Sequence, residues 1–231
     1  MSEGATIAER WRAIRARVDA ACERAGRAAS EVTIIAVSKT HPAAAVREAA
    51  AAGAIDFGEN YAQELADKRA ELGDLAGRVR WHFIGRLQRN KAKLIAGQVA
   101  LVHAVDTVEL AQELAKRAAG HVQPVLIAVN LAGETTKGGV YEQDAPALAK
   151  SILQVTGVRL DGLMTMPPPE ADPRPFFEGL RVLRDRLQHA LGRALPVLSM
   201  GMSSDFETAI ACGSTHIRIG TAIFGVRQSV A

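Results

Sequence analysis

Eight short β-branched runs alternate with Ala- and Leu-rich helical runs, polar residues collect just beyond the ends of the apolar runs, and the whole occupies 231 residues. These observations predict a (β/α)8 TIM barrel with one extra N-terminal helix, in a single domain spanning 1–231. Such a barrel takes about 250 residues, so the chain has room for little else. Strands are predicted at Val32–Val37, Ala54–Phe57, Val79–Ile84, Ala100–Val105, Gln123–Val129, Arg159–Met164, Pro196–Met200 and Thr215–Ile219. Helices are predicted between them at His41–Ala52, Tyr61–Leu72, Arg86–Ile95, Thr107–Ala119, Glu142–Val155, Arg174–Leu191 and Ser203–Cys212. Val32–Val37 and Val125–Val129 are apolar almost throughout, as suits parallel strands covered on both faces.

The boundaries have chemical support. Asp106 and Thr107 are N-cap residue types ahead of an apolar-periodic run. Gly53, Gly73, Gly120 and Gly213 follow helical runs, where a left-handed residue is favoured. Pro42 sits near a first helical turn, where its missing N–H costs nothing. The cluster Pro167-Pro168-Pro169, with Pro173 and Pro175, reads as a rim loop. A doubly wound open sheet would want a Gly-rich loop after the first strand, but the sequence there is Ser38-Lys39-Thr40-His41-Pro42.

Composition bounds the function. With 28 Lys+Arg against 25 Asp+Glu the net charge is +3, too small a surplus to predict a nucleic-acid partner. The basic run Arg86, Arg89, Lys91 and Lys93 reads mainly as a solvated helix face, with a nucleic-acid or partner-binding surface as the weaker reading. An apolar share of 48% excludes a disordered chain. Cys22 and Cys212 form no C-x-x-C pair, which suits a reducing compartment. The N-terminal segment lacks the apolar stretch of a signal peptide, and no run is long enough to span a bilayer. A cytoplasmic protein with no membrane partner is expected.

In a barrel the chemistry gathers at the C-terminal ends of the strands. Lys39, Asn60, His82, Asp106, Asn130, Thr165, Ser199 and Arg218 all fall there. Lys39 ends the apolar run Ile34–Val37. Partial desolvation at a barrel mouth favours the neutral amine, which can condense with a carbonyl to form a Schiff base. A lysine that snorkels to solvent is the plain alternative. Ser199-Met200-Gly201-Met202-Ser203-Ser204 and Arg218-Ile219-Gly220-Thr221 supply hydroxyls, glycines and N–H groups after strands seven and eight, where barrels often hold phosphate. A ligand bridging the two features carries an aldehyde and a phosphate. Pyridoxal 5′-phosphate and an aldolase-type sugar phosphate both answer that description.

Five stretches then carry a resemblance: Ala36-Val37-Ser38-Lys39-Thr40; Phe57-Gly58-Glu59-Asn60-Tyr61; Trp81-His82-Phe83-Ile84-Gly85 with Leu87-Gln88-Arg89-Asn90-Lys91; Ser199-Met200-Gly201-Met202-Ser203; and Arg218-Ile219-Gly220-Thr221-Ala222-Ile223-Phe224-Gly225. From about Val32 to Gly225 the chain resembles the pyridoxal phosphate homeostasis protein family, whose fold is similar to the N-terminal barrel of alanine racemase, a fold-type III pyridoxal phosphate enzyme. The resemblance implies that Lys39 holds the cofactor as an aldimine and that Arg218 lies at the pyridine nitrogen. It implies that Ser203, Gly220 and Thr221, with Ser204, hold the phosphate. Asn60 and His82 would line the ring or Schiff-base side, with Met202 near the ring or phosphate. His41 stands where a lysine is common in the family, and Arg86 and Arg89 occupy variable positions. A lysine is frequent in the loop that here carries Lys137, as a second anion contact or a surface residue.

Because arginine keeps its protons, a pyridine nitrogen facing Arg218 stays unprotonated and the ring is a weak electron sink. No second base is evident, since Tyr61 and Tyr141 are the only tyrosines, and Ala231 follows directly on the last barrel segment. The resemblance therefore implies a carrier that binds and buffers pyridoxal phosphate and maintains amino- and keto-acid balance. Its acceptors would be pyridoxal phosphate-dependent apoenzymes, and it would be a monomer or weak homodimer. A small racemase-like enzyme is the alternative.

Overall fold

The computed structural model describes residues 4–134 and 138–225, so Lys137 lies outside the described residues. Nine strands form one sheet: β1 (Thr33–Val37), β2 (Asp56–Glu59), β3 (Arg80–Phe83), β4 (Leu101–Val105), β5 (Gln123–Asn130), β6 (Val140–Tyr141), β7 (Val158–Met164), β8 (Val197–Ser199) and β9 (His216–Ile219). The order is β4-β3-β2-β1-β9-β8-β7-β5-β6, and β4 also pairs with β5. That last pairing closes the sheet into a parallel barrel. The two-residue β6 stays outside, beside the end of β5. Ile35 sits opposite both Asp56 of β2 and Arg218 of β9, which sets the register at the seam where the first and last strands meet.

The strands alternate with period two. Ile34 and Ala36, Phe57, Trp81 and Phe83, Val125, Ile127 and Val129, Leu163, Leu198, Ile217 and Ile219 belong to the main apolar core between sheet and helices. Each such large side chain contributes about 1.5–3 kcal/mol by burial. The complementary positions face the barrel axis. There a small apolar cluster of Leu101, Ala104, Leu126, Ala128, Met164 and Val197 shares the interior with buried Asp56, His82, His103, Ser199 and Arg218.

The helices are α1 (Ile7–Arg24), α2 (Ala43–Ala51), α3 (Ala62–Leu72), α4 (Val108–Arg117), α5 (Ala145–Leu153), α6 (Arg174–Leu191), α7 (Phe206–Ala211) and α8 (Thr221–Phe224). Thr6 and Glu9 start α1 with a reciprocal capping box. Its buried Trp11, Ile14, Val18 and Cys22 lie on one face, and the helix packs outside the barrel against α2, α7 and α8. Arg10 Nε donates to the Ile223 carbonyl at 2.7 Å, tying α1 to α8. Thr107 caps α4 by accepting from the Leu110 N–H, as expected. Gly53, Gly73, Gly120 and Gly213 all have positive φ.

Three predicted helices differ. The run Arg86–Ile95 is not α-helical; it holds a 3-10 segment at Arg89–Leu94. Its buried Leu87, Ala92, Ile95 and Ala96 mimic helical periodicity over a span too short to propagate an α-helix. The predicted Ser203–Cys212 helix begins only at Phe206. Gly201, at φ +96°, packs so tightly on α7 that a Cβ there would lie 2.6 Å from the Ala209 Cβ. The Asp205 carboxylate accepts from the Met202 N–H, holding Ser203 and Ser204 in a turn. The predicted Glu142–Val155 helix opens as a 3-10 turn at Glu142–Asp144.

Candidate functional site

A cavity of about 460 Å³ opens at the C-terminal ends of the strands. Lys39, Asn60, Met202, Ser203, Ser204, Arg218, Gly220 and Thr221 all line it. His41, Asp106, Gly138 and Gly139 complete much of the polar wall, while Val37, Ile84, Ala104, Ala128, Met164 and Met166 supply the apolar surface.

Lys39 follows β1 on a tightly held turn. The buried Lys68 of α3 donates from Nζ to the Ser38 carbonyl at 2.6 Å and to Glu59 Oε1 and Glu64 Oε1, both at 2.7 Å. The Ser38 hydroxyl donates to the same Glu59 oxygen at 2.6 Å, and the Thr40 N–H donates to Glu64. Thr40 itself has φ +64°, an uncommon conformation for a β-branched residue. Burial pushes the Glu59 carboxyl up, against the pull of Lys68. Its second oxygen, Oε2, is buried without a hydrogen-bond partner. This ionic cluster immobilises the backbone on both sides of Lys39. Nothing in the sequence signals it: the i,i+4 spacing of Glu64 and Lys68 is equally that of a pair on an exposed helix face.

Across the mouth the donors are neutral. The Thr221 and Ser203 hydroxyl oxygens stand 3.5 Å apart. Gly220 precedes α8, whose first N–H groups have no intrahelical acceptor. Asn60 leaves Oδ1 buried without a partner. Gly85 allows its loop to approach Asn60, for a Cβ there would fall 2.1 Å from the Asn60 carbonyl oxygen. The His41 ring stacks on Phe224, with centroids 5.2 Å apart.

Arg218 lies at the cavity floor, with NH1 donating to Ser199 Oγ at 2.7 Å and NH2 to the Thr165 carbonyl at 3.0 Å. Burial lowers its pKa to about 10, which still leaves a cation near neutrality.

His82 departs from expectation. It is absent from the cavity wall and sits deeper in the barrel, with Nε2 2.9 Å from Asp56 Oδ1 and Nδ1 3.0 Å from His103 Nε2. The inward position of β3 that reaches the barrel interior is His82, whereas the cavity wall takes Ile84 and Gly85 from the loop beyond. Asn130 holds the following loop by bonding both backbone groups of Glu134. Of the basic run, Arg86 lines the cavity. Arg89 and Lys91 border an adjoining cleft with Tyr61 and Thr107. Among the described residues, no group of His, Cys, Asp and Glu could hold a metal ion, and no helix is long and apolar enough to cross a membrane.

A closed parallel barrel with a lysine after its first strand and an arginine on its last defines the class: an alanine-racemase-type barrel. The family described as alanine racemase, N-terminal domain, matches residues 10–228. The alanine racemase of Corynebacterium glutamicum shares the fold at TM-score 0.69 and 19% identity, over 96% of this chain and 63% of that one. A pyridoxal phosphate homeostasis protein of Pseudomonas aeruginosa is 47% identical over 96% of each chain. PipY of Synechococcus elongatus, solved with PLP bound, aligns at TM-score 0.84 and 37% identity, over 95% of this chain and 100% of that one. The chain belongs to the pyridoxal phosphate homeostasis protein family.

Proposed function

We propose that this protein binds pyridoxal 5′-phosphate reversibly through Lys39, buffers it, and so maintains intracellular pyridoxal phosphate and amino- and keto-acid homeostasis, releasing it to dependent apoenzymes. The single observation that carries the reading is that one cavity joins Lys39 to Ser203, Gly220 and Thr221. Its volume of about 460 Å³ lies in the range usual for small-ligand sites. The fit is supported by the buried unpartnered Asn60 Oδ1 and by the paired hydroxyls beside the first N–H groups of α8. Those are acceptor and donor groups in want of a polar ligand.

When bound, pyridoxal phosphate supplies an aldehyde that condenses reversibly with an amine. Lys39 contributes that amine from a turn clamped by Lys68. Ser203, Ser204, Gly220 and Thr221 would hold the phosphate, while Asn60 would border the ring and Met202 the ring or the phosphate. Arg218 retains its protons, so it would donate a hydrogen bond to a ring nitrogen placed beside it and transfer no proton to it. That limits the electron withdrawal on which amino-acid carbanion chemistry depends. The relatives' names as homeostasis proteins support the carrier reading over a racemase. No tyrosine stands among the described residues of the cavity wall.

The test is a spectrophotometric titration of the protein with pyridoxal phosphate. Saturable absorbance and a borohydride-trapped mass adduct on Lys39 are expected, both lost in Lys39→Ala. A protein that gains neither overturns the proposal. Solvent deuterium entering alanine or serine above background would instead favour the racemase-like alternative.

A further inference from the structure

Behind Arg218 the barrel interior holds a row of polar groups that the carrier chemistry does not use. It runs from Arg218 at the cavity floor through Ser199, His103 and His82 to Asp56, which takes a two-point ion pair from Arg80 at the opposite end, with both contacts at 2.7 Å. The internal links are 2.8 Å from His103 Nδ1 to Ser199 Oγ, 3.0 Å from His103 Nε2 to His82 Nδ1, and 2.9 Å from His82 Nε2 to Asp56 Oδ1. Asp56, His82, His103, Ser199 and Arg218 are all buried.

The two ends fix the direction of every bond. A guanidinium only donates, so Arg218 gives a hydrogen to Ser199 Oγ. The Ser199 hydroxyl then has its own hydrogen to give, and its neighbour on this path is His103 Nδ1. With Nδ1 accepting, His103 carries its hydrogen on Nε2 and donates to His82 Nδ1. His82 in turn donates from Nε2 to the carboxylate of Asp56, which only accepts. With both rings neutral, a hydrogen on Nδ1 of either would leave two acceptors, or two donors, facing each other along the path. We propose that Ser199, His103, His82 and Asp56 are positioning residues for Arg218, forming a one-way hydrogen-bonded chain along the barrel that orients its guanidinium at the cavity floor.

Two further observations support this. Arg218 is a buried cation whose hydrogen-bond acceptors at Ser199 and Thr165 are neutral. The Asp56 carboxylate lies at the far end of the chain, and Asp205 favours the charged form of Arg218 from the mouth side. His216 packs against both rings, with centroids 6.0 Å from His82 and 6.2 Å from His103. Burial holds His103 well below the usual imidazole range and His216 down to about 4, so neither brings a second charge beside the chain at neutral pH. The groups facing the chain are thus Asp56, Arg80, His216, Arg218 and, more remotely, Asp205.

Insofar as Arg218 meets a pyridine nitrogen, this inference rests on the cofactor reading above, but its first test needs no cofactor. Long-range 1H–15N spectra of the unliganded protein at pH 7.5 should show His82 and His103 as neutral Nε2–H tautomers. Ser199→Ala should leave His103 Nδ1 without its donor, shifting that nitrogen's resonance, and weaken pyridoxal phosphate binding about tenfold. Ser199→Thr, which keeps the hydroxyl, should restore both. An imidazolium or an Nδ1–H tautomer at His82 or His103 in the parent protein would overturn the chain. So would a Ser199→Ala protein with an unchanged His103 Nδ1 resonance and affinity within twofold. Should the parent protein show the expected tautomers but bind no pyridoxal phosphate, the chain stands and the carrier reading fails.

Discussion

The two flanks of the cavity mouth are built on opposite principles. On the Lys39 flank, a buried ionic cluster of Lys68, Glu59 and Glu64 grips the backbone. On the Ser203–Thr221 flank, the polar groups are hydroxyls, a glycine and main-chain N–H donors. The difference teaches what each flank is for. A nucleophilic amine needs a fixed origin, and low-dielectric ion pairs hold a backbone in place strongly. An anion needs donors without carboxylates among them. The nearby Asp205 has a carboxylate oxygen engaged by the Met202 N–H.

The largest expected effect breaks the ionic flank. Lys68→Met leaves Glu59 buried beside no cation and frees the Ser38 carbonyl. Loss of one partner of a buried pair costs about 3–5 kcal/mol, so urea denaturation should show a drop of that order. Lys68→Met with Glu59→Leu should recover part of it, and failure of any loss in the single variant would show that the cluster does not hold the turn.

The opposite flank should behave differently. Ser203→Ala and Thr221→Ala remove accessible hydroxyls, and surface changes of this kind usually move stability by within about 0.5 kcal/mol. Each is expected to lower pyridoxal phosphate affinity about 10- to 100-fold, the equivalent of one hydrogen bond to a charged group. Calorimetric titration beside a thermal melt separates the two effects. Equal losses in both would erase the contrast between the flanks.

Acid should act on neither flank first but on the histidines beneath them. Burial holds His216 at about 4, against 6.5 for a free imidazole, and also holds His103 well below that free value. Between those values the unfolded chain binds more protons than the native one. Stability from these neutral rings is therefore fully present above about pH 6.5 and is lost as pH falls towards 4. Thermal melts from pH 8 to 4.5 should fall in that window, and His216→Gln should flatten the slope. The smallest effect concerns Thr40. Its φ of +64° suits glycine better, so Thr40→Gly should cost nothing and gain up to about 1 kcal/mol, read as a small rise in melting temperature.

Much of this was legible in the residues. The β-branched runs mark the strands because barrel strands are covered on both faces, and their ends point to Lys39, Arg218 and Thr221. What escaped were features whose meaning depends on facing direction. His82, His103 and His216 look scattered, yet each lies on a barrel strand and turns into one shared interior. Lys68 looks solvent-facing until α3 rotates it under Ser38. Ser203 and Ser204 look like a helix start, but Gly201 and Asp205 delay the helix to Phe206. The bond between side chain and turn there competes with the helical ladder.

The Arg10–Ile223 bond has one more consequence. α8 has four residues, too few to hold its shape alone, so it leans on α1. The barrel is thus fastened twice, by the β1–β9 ladder and by this outer clasp. Trimming the leading helix would leave the ladder intact yet slacken the phosphate end of the pocket. Damage made on the outside wall would be felt at the rim.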